Sequence, residues 1–277
     1  MGAARGGGRW TGGASAVAVA LVAAATLAGP AAGRAQGADD WCRQNRGGDQ
    51  TRHCEVREQT IAAPSGGLDV DARPNGGIQV TAGSGDRVRI LSRVTARAES
   101  ESRARELAGQ VKIETEGGRI RARGPDTGHD EWWSVSYRIE APASTGVDLR
   151  AMNGGIHVQG MRGTTRFNTM NGGVDLVDVA GDVSGSTTNG GLDIVLRGDR
   201  WQGKGLDVRT TNGGVDLTVP EGYSAHLETS TVNGGLDLGF PVTVQGRVDR
   251  QLSLDLGSGG PTVRAVTTNG GVSLHRR

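Results

Sequence analysis

Seven copies of the tripeptide Asn-Gly-Gly constrain the fold of this 277-residue chain more than any other feature. Each copy is followed by an apolar-x-apolar triplet, as in the segment 171–176. From the second copy onward the steps are 18, 18, 23, 21 and 36 residues, the last being twice the shortest. A repeat of this length with a glycine-rich turn in each unit predicts a stacked architecture, not a single closed core. The copies begin at Asn75, Asn153, Asn171, Asn189, Asn212, Asn233 and Asn269.

The composition limits the kinds of partner that the chain can bind. Aromatic residues make up only 3% of the sequence, and a platform for single-stranded nucleic acid needs aromatic rings on which bases stack. The net charge is +1, from 31 basic and 30 acidic residues. Arg5, Arg9 and Arg34 lie in an N-terminal stretch without acids, and removing these three leaves 28 basic and 30 acidic residues, a net charge of −2. A chain so close to neutrality has no electrostatic attraction for DNA, RNA or anionic lipid.

The N-terminus has the order of an export signal. Arg5 and Arg9 precede an apolar run over 14–28, and small residues then lead to a predicted cleavage after Ala35. A retained membrane anchor is the alternative. The run is short and rich in alanine, however, whereas a membrane span takes about 20 strongly apolar residues. We therefore predict that residues 1–35 form a signal peptide.

The residues that follow the predicted cleavage site are used to predict where the mature protein is located. A lipoprotein is disfavoured, because Cys42 follows Asp39-Asp40-Trp41 where a lipoprotein signal has small apolar residues. We expect a mature chain that begins near Gln36 and has no stable membrane insertion. Its predicted location is the periplasm, the cell surface or the extracellular space.

Cys42 and Cys54 are the only cysteines in the sequence. In an exported protein, two closely spaced cysteines predict a disulfide. A redox role would require a Cys-x-x-Cys motif, and a metal site would require further ligands beyond His53. Closing so short a loop stabilises the fold by about 2–3 kcal/mol in the chain-entropy model.

The residue pattern changes along the predicted mature chain. Residues 36–60 form a polar segment closed by the predicted disulfide. Residues 61–142 contain alternating apolar patterns typical of strands, together with one helical pattern over Glu99–Ala108, after which Gly109 is placed for a C-terminal cap. Residues 143–277 are dominated by the Asn-Gly-Gly repeat. We predict these three segments as structural regions.

The unit around Asn212 shows what each repeat can form. Three residues before the turn and three after it alternate, so each set points to one side. Asparagine and glycine tolerate positive φ, which predicts a tight corner. A hairpin would pair the two flanking strands within the unit, whereas a solenoid corner would pair each strand with its equivalent in the next unit, about 4.8 Å away. The two sets are Leu206, Val208 and Thr210, and Val215, Leu217 and Val219.

A constant threonine favours the solenoid. The residue two positions before the asparagine is threonine in five units, so identical side chains would stack in a parallel coil, and the asparagines would form an amide ladder. We predict an all-β, right-handed parallel β-solenoid with short rungs, preceded by a mixed N-terminal region with one helix. The alternative is an antiparallel β-sandwich. The threonines are Thr169, Thr187, Thr210, Thr231 and Thr267.

The repeated Thr-x-Asn-Gly-Gly-apolar-Asp-apolar pattern resembles the candidate-adhesin family of β-strand-repeat proteins in bacterial envelopes, a group classed as a domain of unknown function. Segments 259–272 and 137–142 are especially similar to it. The resemblance covers about Ile61 to Leu274. It implies an exported β-solenoid that acts as an adhesin-like module.

A column of acids is the first candidate site. An aspartate lies four residues after the asparagine in four units, and these side chains should stack on one outward face. A row of carboxylates can bind cations or cleave sugars, but it can also simply keep a solenoid face soluble. The spacing differs from the calcium-binding Gly-Gly-x-Gly-x-Asp repeat. The residues are Asp175, Asp193, Asp216 and Asp237.

Two apolar features are further candidates for a contact surface. Met152 and Met170 begin an outward column one residue before each asparagine, which suits adaptable binding. Trp132 and Trp133 precede the array. An outward tryptophan can stack against a sugar, and the alternative is that the pair closes an open end of the solenoid.

No sequence motif of an enzyme is present: there is no Gly-x-Ser-x-Gly, His-Glu-x-x-His or phosphate-binding loop. The sequence predicts no catalytic residue, metal or cofactor. It predicts an exported, non-enzymatic cell-envelope scaffold or adhesin-like binding module, whose partner is an envelope glycan or another envelope protein. The alternative function is a secreted glycan-active β-helix enzyme that uses the carboxylate row.

Overall fold

The computed structural model describes residues 41–42, 51–240 and 250–277. The predicted signal peptide lies outside the described residues. The described part is dominated by strands that form two ten-stranded sheets. No helix within it is long and apolar enough to cross a bilayer.

The first sheet contains the strand that follows each Asn-Gly-Gly. Its strands are β1 (Arg52–Ala62), β3 (Ile78–Gly83), β4 (Arg87–Arg97), β7 (Trp132–Pro142), β9 (Ile156–Gln159), β11 (Val174–Val177), β13 (Leu192–Val195), β15 (Val215–Val219), β17 (Leu236–Leu238) and β20 (Val272–Arg276). Their spatial order is β1-β4-β7-β3-β9-β11-β13-β15-β20-β17.

The second sheet contains the strand that precedes each Asn-Gly-Gly. Its strands are β2 (Leu68–Asp71), β5 (Lys112–Glu114), β6 (Arg119–Arg123), β8 (Val147–Arg150), β10 (Thr164–Asn171), β12 (Asp182–Asn189), β14 (Gly205–Asn212), β16 (Ala225–Asn233), β18 (Gln251–Leu256) and β19 (Thr262–Asn269). Their spatial order is β18-β16-β19-β14-β12-β10-β8-β2-β6-β5.

Asn-Gly-Gly is the corner between the two sheets. Equivalent strands of successive units pair in parallel and in register, so that Asn171 lies opposite Asn189 and Val174 opposite Leu192. The predicted parallel solenoid-like stacking is confirmed. The antiparallel sandwich is wrong for the array, because the strands within each sheet of the array pair in parallel with their equivalents in neighbouring units.

The spatial order of the units differs from their order in the sequence. The C-terminal unit, β19 with β20, lies between the unit of Asn212 and the unit of Asn233. Strand β18 then pairs antiparallel with β16 at the edge of the second sheet. The 36-residue step therefore contains an edge strand and a return connection, after which the last unit enters the array.

The N-terminal region continues the array. Strands β2 and β3, which flank Asn75, pair in parallel with β8 and β9, while β1, β4 and β7 extend the first sheet by antiparallel pairing. Helix α1 spans Glu101–Gln110, with Ser100 as its N-cap. The helix was expected over Glu99–Ala108 with Gly109 as its cap. Instead, Gly109 lies inside the helix, because the Ser100 side chain accepts a hydrogen bond from the Arg103 amide and fixes a later start.

The core is a set of inward columns, one residue from each unit. Val174, Leu192, Val215 and Val272 are each no more than 1% exposed. The column of threonines predicted from the sequence is buried too, and each hydroxyl donates to the carbonyl of the first glycine in the neighbouring unit, at 2.7–3.0 Å. A buried hydroxyl with a partner costs little, so the threonines tie successive corners together.

The first glycine of each corner is required for a reason that the sequence did not reveal. The expected cause was positive φ, but Gly213 does not have a left-handed backbone. A Cβ at Gly213 would lie 2.1 Å from the carbonyl oxygen of Gly190. The corresponding distance at the second glycine, Gly214, is 3.5 Å, which is ordinary contact. The first glycine is therefore needed because the corners of adjacent units approach so closely.

The predicted disulfide between Cys42 and Cys54 is confirmed, with 5.8 Å between the Cα atoms. The adjacent Trp41 is buried, and the guanidinium carbons of Arg138 and Arg93 lie over its indole ring at 4.1 and 4.8 Å. Arg93 also donates to the Trp41 carbonyl at 3.3 Å. Together these contacts hold Trp41 and Cys42 against the outer face of the first sheet.

Candidate functional site

The aspartate column lies on the outer face of the first sheet. Asp175, Asp193 and Asp216 are exposed and occupy three neighbouring strands in register. The expected row of four differs in one respect, because the inserted C-terminal unit places Ser273 between Asp216 and Asp237. The column therefore consists of three successive carboxylates and a fourth two strands away from Asp216.

The electrostatics of the column centre on Asp193. Partial burial, and then the charges of Asp175 and Asp216, raise the pKa of Asp193 above its usual value. Histidines stand at the edges of the column: His157 is 3.6 Å from Asp175 and His275 is 3.6 Å from Asp216. Within the described residues, no group of three or more histidine, cysteine or acidic side chains could hold a metal ion.

The corner carries the predicted amide ladder. Every asparagine of the ladder after Asn75 donates its side-chain amide to the asparagine of the preceding rung in space, at 2.7–2.9 Å. The ladder runs in the spatial order Asn75, Asn153, Asn171, Asn189, Asn212, Asn269 and Asn233.

The column next to the ladder contains the candidate methionines. Met170 is 48% and Val232 is 57% exposed, whereas Met152 is half-buried. The remaining members are the exposed residues Thr188, Thr211 and Thr268. This corner therefore presents a stripe of methyl and thioether groups beside a row of amides.

The two tryptophans of β7 have different surroundings. Trp133 packs against the hydrophobic core, and its indole nitrogen donates to the Pro125 carbonyl at 2.9 Å. Trp132 is half-buried, with the Arg52 guanidinium over its ring at 5.6 Å. Strands β4 and β1 continue the first sheet beyond β7, so this strand is not the last of its sheet.

A groove of about 550 Å³ lies on the outer face of the second sheet, and no sequence pattern predicted it. It crosses the beginnings of β6, β2, β8 and β10, and small residues form much of its rim: Ser65, Gly66, Gly67, Gly117, Ser144, Gly146 and Thr164. The charged side chains that line it are Asp69, Arg119, Asp148, Arg150 and Arg166.

The charges in this groove are only partly paired. Arg150 lies 2.9 Å from Asp69 and 3.4 Å from Asp148, and so its single positive charge is shared between two carboxylates. Arg119 is 60% exposed, and its nearest carboxylate, Asp69, is 3.9 Å away. Arg166 is exposed and has no carboxylate within ion-pairing distance among the described residues. Two arginines therefore keep donors that a ligand can use.

A second polar cluster joins β16 to the edge strand β18. His226 contacts Asp255 at 2.8 Å through Nδ1, and Ser253 at 3.2 Å through Nε2. A serine, a histidine and an aspartate in this order can activate a nucleophile. Here Ser253 and Asp255 are exposed on an open strand pair, where the serine is freely solvated. We interpret the cluster as a set of cross-strand hydrogen bonds that hold β18 against β16.

Residues 46–275 match the model of the Toastrack DUF4097 family. The chain belongs to this family. The match spans both the N-terminal region and the repeat array, and the resemblance to candidate adhesins seen in the sequence is confirmed. Among curated proteins, none matches the chain significantly in sequence.

Three solved structures are similar to this chain at low sequence identity. A candidate cell adhesion protein from Clostridium sporogenes has a TM-score of 0.43 at 9% identity, covering 81% of this chain and 100% of its own. A candidate adhesin from Bacteroides fragilis has a TM-score of 0.32 at 10% identity, covering 80% and 97%. A candidate lipid-binding protein from Parabacteroides distasonis has a TM-score of 0.33 at 9% identity, covering 80% and 96%.

Proposed function

We propose that this protein is an exported, non-enzymatic β-solenoid that acts as a cell-envelope scaffold or an adhesin-like binding module. The observation that carries the proposal is the stacking of all seven Asn-Gly-Gly units in one amide ladder. Such stacking produces a continuous array whose outer faces repeat at the strand spacing, and stacked-repeat proteins use extended surfaces of this kind for binding. The partner is an envelope glycan or another envelope protein.

Export is supported by the order of the N-terminal residues and by the Cys42–Cys54 disulfide, since such bonds persist in oxidising compartments. We propose cleavage after Ala35, a disulfide-closed segment to residue 60, a mixed region to residue 142 and the array beyond it. The coil is right-handed in this proposal, as parallel crossover connections nearly always are.

The outer columns have different roles in this proposal. The corner that contains Met152 and Met170 is an accessory contact stripe, with Trp132 as an aromatic contact at the N-terminal end. The column of Asp175, Asp193, Asp216 and Asp237 keeps the first sheet soluble.

The test is a screen of the purified mature protein against an array of glycans and envelope proteins, with product analysis of every glycan that binds. We expect retention of at least one component without its cleavage. Release of shortened sugars would favour the glycan-active enzyme, and the absence of binding to every component would contradict the binding module.

A further inference from the structure

We propose that the groove on the second sheet binds an acidic polysaccharide that lies along the axis of the array. This inference rests on the proposed binding function and names its ligand class. It starts from the two arginines whose donors are free, Arg119 and Arg166, and from the groove that connects them.

The position of the two arginines sets the geometry of the ligand. Arg119 is the register partner of Asp69, Asp69 of Asp148, and Asp148 of Arg166, so the four residues form one column across neighbouring strands. Three strand spacings separate the arginines, or about 14 Å. A ligand that satisfies both must carry two anionic groups separated by about that distance, which is the length of a few sugar units in an extended chain.

The centre of the groove fits an uncharged, hydroxyl-rich spacer. Asp69 and Asp148 share the single positive charge of Arg150, at 2.9 and 3.4 Å, so the centre would repel an anionic group and favours an uncharged part of the ligand. Carboxylate oxygens and guanidinium groups accept from and donate to hydroxyl groups. The glycine and serine residues of the rim carry no bulky side chains, so an extended chain can approach the backbone.

Other surfaces and other polyanions fit less well. The first sheet presents Asp175, Asp193 and Asp216 in succession and would repel an anionic chain. The residues that line the groove include no aromatic ring on which a nucleic-acid base could stack. A carbohydrate polymer with carboxylate groups satisfies the arginines without requiring such a ring.

The experiment compares hyaluronate, in which an uncharged sugar separates successive carboxylate-bearing sugars, with its methyl ester, which has the same backbone without the charge. Binding to the mature protein is measured by calorimetry in 50 mM and 200 mM NaCl. The test variant is Arg119→Gln with Arg166→Gln. The matched control is Arg197→Gln with Arg200→Gln, which removes the same charge from an exposed loop in another part of the array. The melting temperature of each variant is measured to establish that it is folded.

We expect the protein to bind the charged polymer, more weakly at the higher salt concentration, and to bind the ester poorly. The groove variant should lose affinity about tenfold or more, because each lost charge-assisted contact is strong, whereas the control should change less than about twofold. Equal losses in the two variants, or equal binding of polymer and ester, would overturn the acidic-polysaccharide site but leave the binding module standing. A preference for polyglutamate over the sugar would also overturn it. If no glycan or envelope component binds at all, the proposed function fails as well.

Discussion

At the scale of single residues, the two glycines of each corner have different roles. In six units a Cβ at the first glycine would lie 2.0–2.2 Å from the carbonyl oxygen of the first glycine in an adjacent unit, and at Gly76 it would lie 1.9 Å from the Val135 carbonyl oxygen in β7. At the second glycine the nearest atom is at least 3.2 Å away wherever one lies within 4 Å. A motif that looks uniform in the sequence therefore contains one strict position and one tolerant position. The distinction follows from the stacking of units and not from the turn itself.

We predict that Gly213→Ala destabilises the protein by about 1–3 kcal/mol, because the neighbouring backbone must shift to admit the methyl group. Gly214→Ala should stay within about 0.5 kcal/mol, as substitutions without a clash usually do. Urea unfolding of the two variants measures the difference. Equal effects would show that adjacent corners are not in close contact.

The acid column gives a prediction about pH. Because the pKa of Asp193 is raised in the folded state, the folded protein holds this proton to higher pH than the unfolded chain does. Stability from this group therefore falls as pH rises from the ordinary value of 3.8 through the raised value. Asp193→Asn should stabilise the protein at pH 7 by a few tenths of a kcal/mol, and the gain should vanish below about pH 3.5.

The control for this effect is Asp237→Asn, since Ser273 separates Asp237 from Asp216. Its effect on the melting temperature should be smaller and should depend less on pH. The pKa of Asp71 is lowered, chiefly by its hydrogen bond with Arg73, so its contribution to stability is lost as pH falls below that range, in the parent and the variants alike. The quantity to compare is therefore the difference between each variant and the parent at each pH. A gain for Asp193→Asn that persists at pH 3 would contradict the repulsion that we infer.

At the scale of elements, the N-terminal segment is fastened to the first sheet by two kinds of contact. The disulfide joins Cys42 to β1, and Arg93 and Arg138 enclose the Trp41 ring. Burial lowers the pKa of both arginines, which reflects how far Trp41 and the sheet shield them from water. Together the two contacts hold Trp41 and Cys42 against the sheet.

Reduction of this disulfide should lower the free energy of unfolding by about 3 kcal/mol, the value expected for closing a short loop. It should also expose Trp41, which a red shift of tryptophan fluorescence would report. The variant Trp41→Ala provides the control, because its fluorescence should lack this component of the shift. A reduced protein with unchanged emission would show that the arginines hold Trp41 without the disulfide.

The elements were largely predictable from the sequence, whereas the groove was not. Alternation of apolar residues identifies strands because each strand has one buried face, and the constant threonine identifies parallel stacking because only in-register units place identical residues together. The charges of the groove come from Asp69, Arg119, Arg150 and Arg166, which lie far apart in the sequence and meet only because β6, β2, β8 and β10 are neighbours. The residue pattern within one repeat unit does not show which charged side chains of other units will lie beside it in the sheet.

At the scale of the whole molecule, the order of the units was the least predictable feature. The units of Asn233 and Asn269 have the same threonine and similar apolar residues, so their local patterns do not decide which is outermost. Among the described strands, β16 and β17 of the Asn233 unit pair with the other repeat units through β19 and β20, the C-terminal unit. The chain terminus thus lies in the interior of the array, and the penultimate unit lies at its end.

This order of units predicts that backbone amides near the C-terminus are better protected from hydrogen exchange than those of the unit before it. Amides of β19 and β20 bond to units on both sides, so they should exchange with deuterium more slowly than those of β17, although they lie closer to the terminus. Leu274→Ala, at a fully buried position, should cost about 2–5 kcal/mol, and the half-buried Leu238→Ala should cost less. Because β16 and β17 pair with the rest of the array through β19 and β20, Leu274→Ala should also speed exchange in β16 and β17, whereas Leu238→Ala should leave β19 protected. Exchange that begins at β20 while β17 stays protected would place the Asn233 unit inside the array and refute the inserted order.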